Sequence, residues 1–192
     1  MTRKAATLPP DYFEDKYKAD IDPWRFRSSA YEQEKYQATL SSLSRRRYAN
    51  ALEVGCSIGV LTRLLSARCA HLLAIDTSVT ALEAARSVND SNVSFRRATL
   101  PADFPDGPFD LIVLSEVLYY FAKPDLQLIA QSCRAQIAPD GEIVLCHWLG
   151  ETDYPLTGID ASELFAEFIK PALPVRAILH DETYRLERFS AA

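Results

Sequence analysis

The apolar residues Ala51, Leu52 and Val54 run into a turn punctuated by Gly55 and Gly59, and Leu61, Leu64 and Leu65 follow at helical spacing. A buried strand, a backbone-exposing turn and a helix are predicted in that order. A second apolar run, His71 to Ile75, ends at Asp76, and a helix from Ser78 to Val88 should turn Leu82 and Ala85 inward. Val93 and Phe95 alternate with polar neighbours, so a third strand is expected to end near Arg97 to Leu100. After a loop from Pro101 to Pro108, the largely apolar run Phe109 to Leu114 reads as the central fourth strand. Pro124 opens a helix with Leu126, Ile129, Ala130 and Cys133 on its inner face, ended by a turn at Pro139-Asp140-Gly141. Ile143 to Cys146 is the fifth strand, which delivers His147 and Trp148 to the edge where the fourth strand presents Ser115 to Tyr120. Leu149 to Ile159 is irregular, Asp160-x-x-Glu163 is expected to cap a helix to Lys170, and 149–170 reads as a lid and helix. Val175 to His180 and Thr183 to Phe189 form a hairpin around Asp181-Glu182. Upstream, residues 1–11 are expected to be disordered and Tyr12 to Arg27 to wrap the domain with its aromatic rings. Ser29-x-x-Glu32 opens a helix to about Leu43, with Tyr36, Leu40 and Leu43 on one face.

Composition narrows the picture. With 192 residues, 48% hydrophobic and 24% charged, the chain suits one globular domain over 1–192. A net charge of −5 argues against a nucleic-acid partner, since phosphate binding needs clustered cations; the basic run Arg45-Arg46-Arg47 reads as a solvated helix end. Cys56, Cys69, Cys133 and Cys146 have neither metal-ligand spacing nor paired histidines, so no metal and no disulfide framework is expected. No signal peptide and no run of about 20 apolar residues is found, which points to the cytoplasm without membrane insertion.

The turn at 55–59 carries the chemistry. A dinucleotide-binding turn would read G-x-G-x-x-G, whereas here Ser57 stands between Gly55 and Gly59 and a third glycine is missing. That disfavours a nicotinamide-dependent oxidoreductase. Asp76, roughly 20 residues beyond Gly55, stands where a doubly wound sheet places the acid that accepts ribose hydroxyls. As an alternative it could cap the next helix, a task open equally to Thr77 or Ser78. With Glu53 two residues ahead of Gly55, the pattern resembles the first motif of the S-adenosylmethionine-dependent methyltransferases, although glycine is usual at position 57. The resemblance implies an α/β fold of the class I, Rossmann-like kind. That fold has a seven-stranded, mostly parallel sheet with an antiparallel last strand, helices on both faces, and an N-terminal helical cover, here 12–43. It also places the adenine beside Thr99 and Leu100.

Longer strings are more specific. Asp22-Pro23-Trp24-Arg25-Phe26-Arg27-Ser28-Ser29-x-Tyr31-Glu32, Glu53-Val54-Gly55-Cys56, Phe109 to Val117 with Tyr119-Tyr120, and His147-Trp148 with Asp153 to Gly158 resemble the nodulation protein S family. The resemblance implies an N-methyltransferase that takes its methyl group from S-adenosylmethionine, leaves S-adenosylhomocysteine, and acts on the free amine at the non-reducing end of a deacetylated chito-oligosaccharide. Another small amine is the alternative acceptor, and a non-catalytic cofactor-binding protein the remaining one. The implied cofactor shell is Trp24, Arg27, Tyr31, Glu53, Gly55, Cys56, Ser57, Gly59, Asp76, Thr77, Thr99, Leu100 and Ser115. Glu116 is expected to orient the amine with His147 or Tyr119 as helper, and Tyr120, Trp148 and Tyr154 to stack on sugar rings.

Overall fold

A computed structural model describes residues 3–87, 90–180 and 182–190. The helix end expected at Val88 and the hairpin residue Asp181 lie outside them. Among these described residues seven strands form the sheet, and the chain divides into two compact units, 9–99 and 1–8 with 100–192.

In the 9–99 unit, α1 (Pro10–Ala19) and α2 (Ala30–Ser42) precede β1 (Tyr48–Val54), α3 (Val60–Ser66), β2 (Cys69–Asp76), α4 (Val79–Arg86) and β3 (Val93–Arg97). The strands lie in the order β3-β2-β1, all parallel, with Val54 opposite Ile75 and Asp76 opposite Arg97. This register brings the turn after β1 and the acid after β2 to the same sheet edge. Ser29 opens α2 as expected, its hydroxyl accepting the Glu32 amide. α1 departs from the expected wrapping segment: Pro10 suits a first helical turn, and the helix buries Tyr17 against Ile58 and Ala81, with Phe13 and Trp24 packed beside them.

In the other unit, β4 (Phe109–Ser115) is followed by a 3₁₀ turn (Leu118–Tyr120), α5 (Lys123–Gln136), β5 (Ile137–Trp148), α6 (Gly158–Ile169), β6 (Val175–His180) and β7 (Tyr184–Ser190). The order is β4-β5-β7-β6: β4 and β5 are parallel, while β7 runs antiparallel to both of its neighbours. Leu111 to Leu114 and Ile143 to Cys146 are buried, as parallel strands covered on both faces require. Two expectations are corrected here. Ile137 to Gly141 already belongs to β5, so no separate turn at Pro139 ends α5. The cap of α6 is Thr157, whose hydroxyl accepts the Asp160 amide while Asp160 accepts the Thr157 amide, three residues ahead of the expected cap. A Cβ on Gly158 would collide with the Trp148 carbonyl, so the first turn of α6 can lie against the end of β5 only because this residue is glycine.

The expected disorder at the N-terminus is also corrected. Residues 3–8 form an extended strap on the second unit: the Lys4 amide donates to the Asp153 carbonyl and the Leu8 amide to the Tyr120 carbonyl, both at 2.9 Å. Thr7 donates to Asp125 and accepts the Ala122 amide, Arg3 donates to the Tyr154 carbonyl, and Leu8 is buried. These bonds satisfy main-chain groups that a disordered tail would leave to water.

Candidate active site

In the 9–99 unit the turn is built around three positive φ angles: Gly55 at 74°, Ser57 at 52° and Gly59 at 79°. Ser57 therefore keeps the left-handed backbone that glycine would supply, at a conformational cost on the order of 1 kcal/mol. Its amide donates to Asp76 Oδ2 at 2.8 Å, and its hydroxyl accepts the Tyr17 phenol at 2.5 Å. Gly55 and Cys56 both donate to the Ile75 carbonyl, at 2.8 and 2.9 Å. Asp76 thus braces the turn, and its second oxygen accepts the Ser78 amide at 2.9 Å. Burial pushes its carboxyl pKa upward, against the pull of these amide bonds. Ser78, rather than Asp76, caps α4, its hydroxyl accepting the Ala81 amide.

Glu53 lies beneath the turn, buried, with Oε2 lacking a hydrogen-bond partner. Burial raises its pKa to about 8; the nearby Thr62 hydroxyl opposes the shift and the Asp76 charge adds to it. At neutral pH Glu53 is therefore largely a neutral acid able to donate a hydrogen bond. Thr77 and Thr99 share a hydroxyl–hydroxyl bond of 3.0 Å. Trp24 stacks on Phe26 with ring centroids 5.7 Å apart, and Lys35 Nζ sits 4.9 Å from the centre of the Tyr31 ring. The Arg27 side chain is exposed, while its amide donates to Asp22 Oδ2.

Two residues of this region, Tyr17 and Glu14, were not assigned to the site from the sequence. Tyr17 reaches Ser57 as described. Glu14 accepts the hydroxyls of Ser78 and Thr80, both at 2.7 Å, and so ties α1 to the start of α4. These bonds, the Ser78 hydroxyl foremost, hold its pKa down at about 2. Their only sequence signal is the four-residue spacing of Phe13 and Tyr17.

In the other unit, Ser115 ends β4 opposite Cys146, and Leu100 is buried. Glu116 adopts φ 56°. Its Oε2 accepts the Tyr119 phenol at 2.6 Å and the Trp148 amide at 3.0 Å. A residue with a side chain held in the left-handed region at a strand end is a common mark of a functional position. Tyr119 is buried, and desolvation pushes its phenol pKa far upward, so it acts on Glu116 as a donor.

His147 is fully buried: Nε2 accepts the Leu118 amide at 3.1 Å and Nδ1 faces the Ser162 hydroxyl at 3.4 Å. Both ring nitrogens of His147, expected as a helper of Glu116, are thus engaged inside the unit, with the Leu118 amide and the Ser162 hydroxyl. The expected sugar contact of Tyr120 is corrected: it is buried, with its ring 4.7 Å from those of both Tyr119 and Tyr154. Tyr154 also stacks on Tyr119 at 5.5 Å, so the three tyrosines form one cluster, and Trp148 is the ring of the expected substrate wall that stays well exposed, at 38%. Among the described residues no His, Cys, Asp or Glu group could hold a metal ion, and no helix is long and apolar enough to cross a membrane.

The strand directions, the reversed β7 and the glycine turn define a class I methyltransferase fold. The family model of nodulation protein S matches residues 11–147, and the chain belongs to that family. Nodulation protein S of Bradyrhizobium diazoefficiens is 34% identical over 128 residues, covering 64% of this chain and 61% of the relative. The protein of the same name from Sinorhizobium fredii is 35% identical over 127 residues, covering 64% and 59%. The chain thus spans about three fifths of the length of these curated relatives. The crystal structure of the N-methyltransferase NodS from Bradyrhizobium japonicum WM9 in complex with S-adenosylhomocysteine superposes with a TM-score of 0.79 at 25% identity, covering 92% of this chain and 97% of that one.

Proposed function

We propose that this chain is an S-adenosylmethionine-dependent N-methyltransferase of the cytoplasm. We further propose that its acceptor is the free amine of the non-reducing glucosamine of a deacetylated chito-oligosaccharide. The observation that carries the reading is the family match over residues 11–147, with a neighbour that is an N-methyltransferase crystallised with the demethylated product.

The residues present fit the cofactor. The buried Glu53 carboxyl oxygen without a partner sits under a turn held open by three left-handed residues, and Asp76 keeps lone pairs beyond those used by Ser57 and Ser78. Asp76 holds the ribose hydroxyls, the main chain of 55–59 receives the amino-acid portion, and Arg27 pairs with its carboxylate. Trp24 and Tyr31 cover the cofactor, and Thr99 and Leu100 border the adenine. When bound, this cofactor supplies an electrophilic methyl group on a sulfonium centre.

Little base strength is then required. An aminosugar nitrogen resembling an α-amino group titrates at roughly 7.7 to 8.0, so a neutral fraction exists at cytosolic pH. Glu116 accepts a hydrogen bond from that amine, aims its lone pair and stabilises the methylammonium that forms. Tyr119 and the Trp148 amide fix the carboxylate for this task. Trp148 and Tyr154 offer ring faces to the sugar.

The deciding experiment is mass spectrometry of a chitopentaose deacetylated only at its non-reducing end, after incubation with the protein and S-adenosylmethionine. One added methyl group on the terminal amine, absent with the fully acetylated oligomer, is the expected outcome. No added methyl, with cofactor binding retained in calorimetry, would redirect the acceptor to another amine.

A further inference from the structure

We infer that His147 and Ser162 are positioning residues that act on Glu116 through the 3₁₀ turn, and this rests on the role of Glu116 proposed above. A ring nitrogen that accepts a hydrogen bond carries no proton. Because Nε2 accepts the Leu118 amide, the neutral imidazole holds its proton on Nδ1, which then donates to the Ser162 hydroxyl. Both His147 and Ser162 are fully buried, so water does not replace either bond.

Leu118 opens the turn that brings the Tyr119 phenol to Glu116, and the His147 ring also packs edge-on against the Tyr119 ring, with centroids 5.5 Å apart at 73°. The imidazole therefore grips the turn by its first amide and by its aromatic side chain. This grip matters because Glu116 stands at φ 56°, a conformation that persists only where its surroundings enforce it. Ser162 rides on α6, so the order of support runs from α6 through Ser162 and His147 to the Leu118 amide, then to Tyr119 and the carboxylate. Nothing in this chain of contacts calls for proton exchange with substrate: the imidazole sets geometry.

The test combines spectroscopy with kinetics on the full chain. Nitrogen-15 NMR of His147 should show an unprotonated Nε2 and a protonated Nδ1; the opposite tautomer would overturn the inference. His147→Ala should lower kcat by about 10-fold or more, with the KM for S-adenosylmethionine within about twofold, and should speed amide exchange at Leu118. His147→Gln, which can still accept from the Leu118 amide through its side-chain carbonyl, should restore most of the rate. In a Tyr119→Phe background, His147→Ala should change kcat by less than about twofold, because the link to Glu116 is already cut. Multiplicative losses in the double variant, or a His147→Gln enzyme as slow as His147→Ala while the Leu118 amide stays protected, would refute the positioning role. Should His147→Ala fail to fold, His147→Gln and Ser162→Ala carry the same comparison. If the wild-type protein methylates no amine, the proposed role of Glu116 falls, whereas the tautomer and the exchange rates still decide whether His147 holds the turn.

Discussion

The turn after β1 and the turn after β4 solve a similar problem in opposite ways. Each places a residue with a side chain in the left-handed region, Ser57 at φ 52° and Glu116 at φ 56°, and each sets a carboxylate to receive main-chain amides. At the first turn the strained residue offers its amide and the acid, Asp76, comes from the next strand. At the second the strained residue is itself the acid, and the donors come from Tyr119 and Trp148. The first arrangement shapes a backbone cradle whose side chains are secondary. The second aims a single side chain, which suits recognition of a ligand's polar skeleton on one hand and orientation of one reacting atom on the other.

Substitutions that separate these two kinds of site give the largest effects. Glu116→Gln should lower kcat by about 100-fold while calorimetric affinity for the cofactor stays within about twofold. Asp76→Ala should do the reverse, weakening cofactor binding by about 100-fold because two buried amides lose their acceptor along with the ribose. If both variants moved the same constant, the proposed division of labour would be wrong.

Next in size is the pH dependence of the acid beneath the cradle. Glu53 has a pKa of about 8 in the folded chain and near 4.5 when unfolded. The folded state therefore binds the extra proton, and the contribution of Glu53 to stability declines as pH rises from 4.5 to 8. Glu53→Gln should remove that slope, adding about 3 kcal/mol in urea unfolding at pH 7 and almost nothing at pH 4. An unchanged slope would show the carboxylate to be ionised in the folded state.

Glu14 has the opposite sign. Its pKa is lowered to about 2, so its stabilising effect is complete above pH 4.5 and is lost as pH falls toward 2. Glu14→Gln should cost about 1 kcal/mol at pH 7, since the side chain is partly exposed and solvent screens it. The smallest effect should come from Ser57→Gly. Relief of the left-handed strain and loss of the Tyr17 hydrogen bond offset one another to within about 0.5 kcal/mol by chemical denaturation. A larger change in either direction would show that one of the two terms dominates.

What the sequence revealed followed the same contrast. The β1 turn was legible because two glycines flank Ser57 and because Asp76 stands one strand farther on, so local pattern and fold rule agree. Glu116 could be placed at a strand end, but its backbone angle and its bonds to Tyr119 and the Trp148 amide could not be read, for no glycine marks the strain. His147 was read as a helper of Glu116 because the sequence placed it at the right edge, and the sequence said nothing of Ser162 behind it. The cap of α6 was misplaced because both Thr157-x-x-Asp160 and Asp160-x-x-Glu163 satisfy the capping pattern, and only the close approach at Gly158 favours the first. α1 escaped notice because its inward rings face Ile58 and Ala81, some 40 residues or more away. Bonds made by main-chain amides, as in residues 3–8, leave no periodicity to read at all.

That strap also sets a schedule for the newborn chain. Arg3 meets the carbonyl of Tyr154, a separation of 151 residues, and Thr7 meets Asp125, 118 residues away. At ribosomal speeds of about 5–20 residues per second, Arg3 is made on the order of 10 s before Tyr154. Residues 9–99 can complete their own three-stranded sheet in that interval, while the strap waits for residues 120–154 to be made.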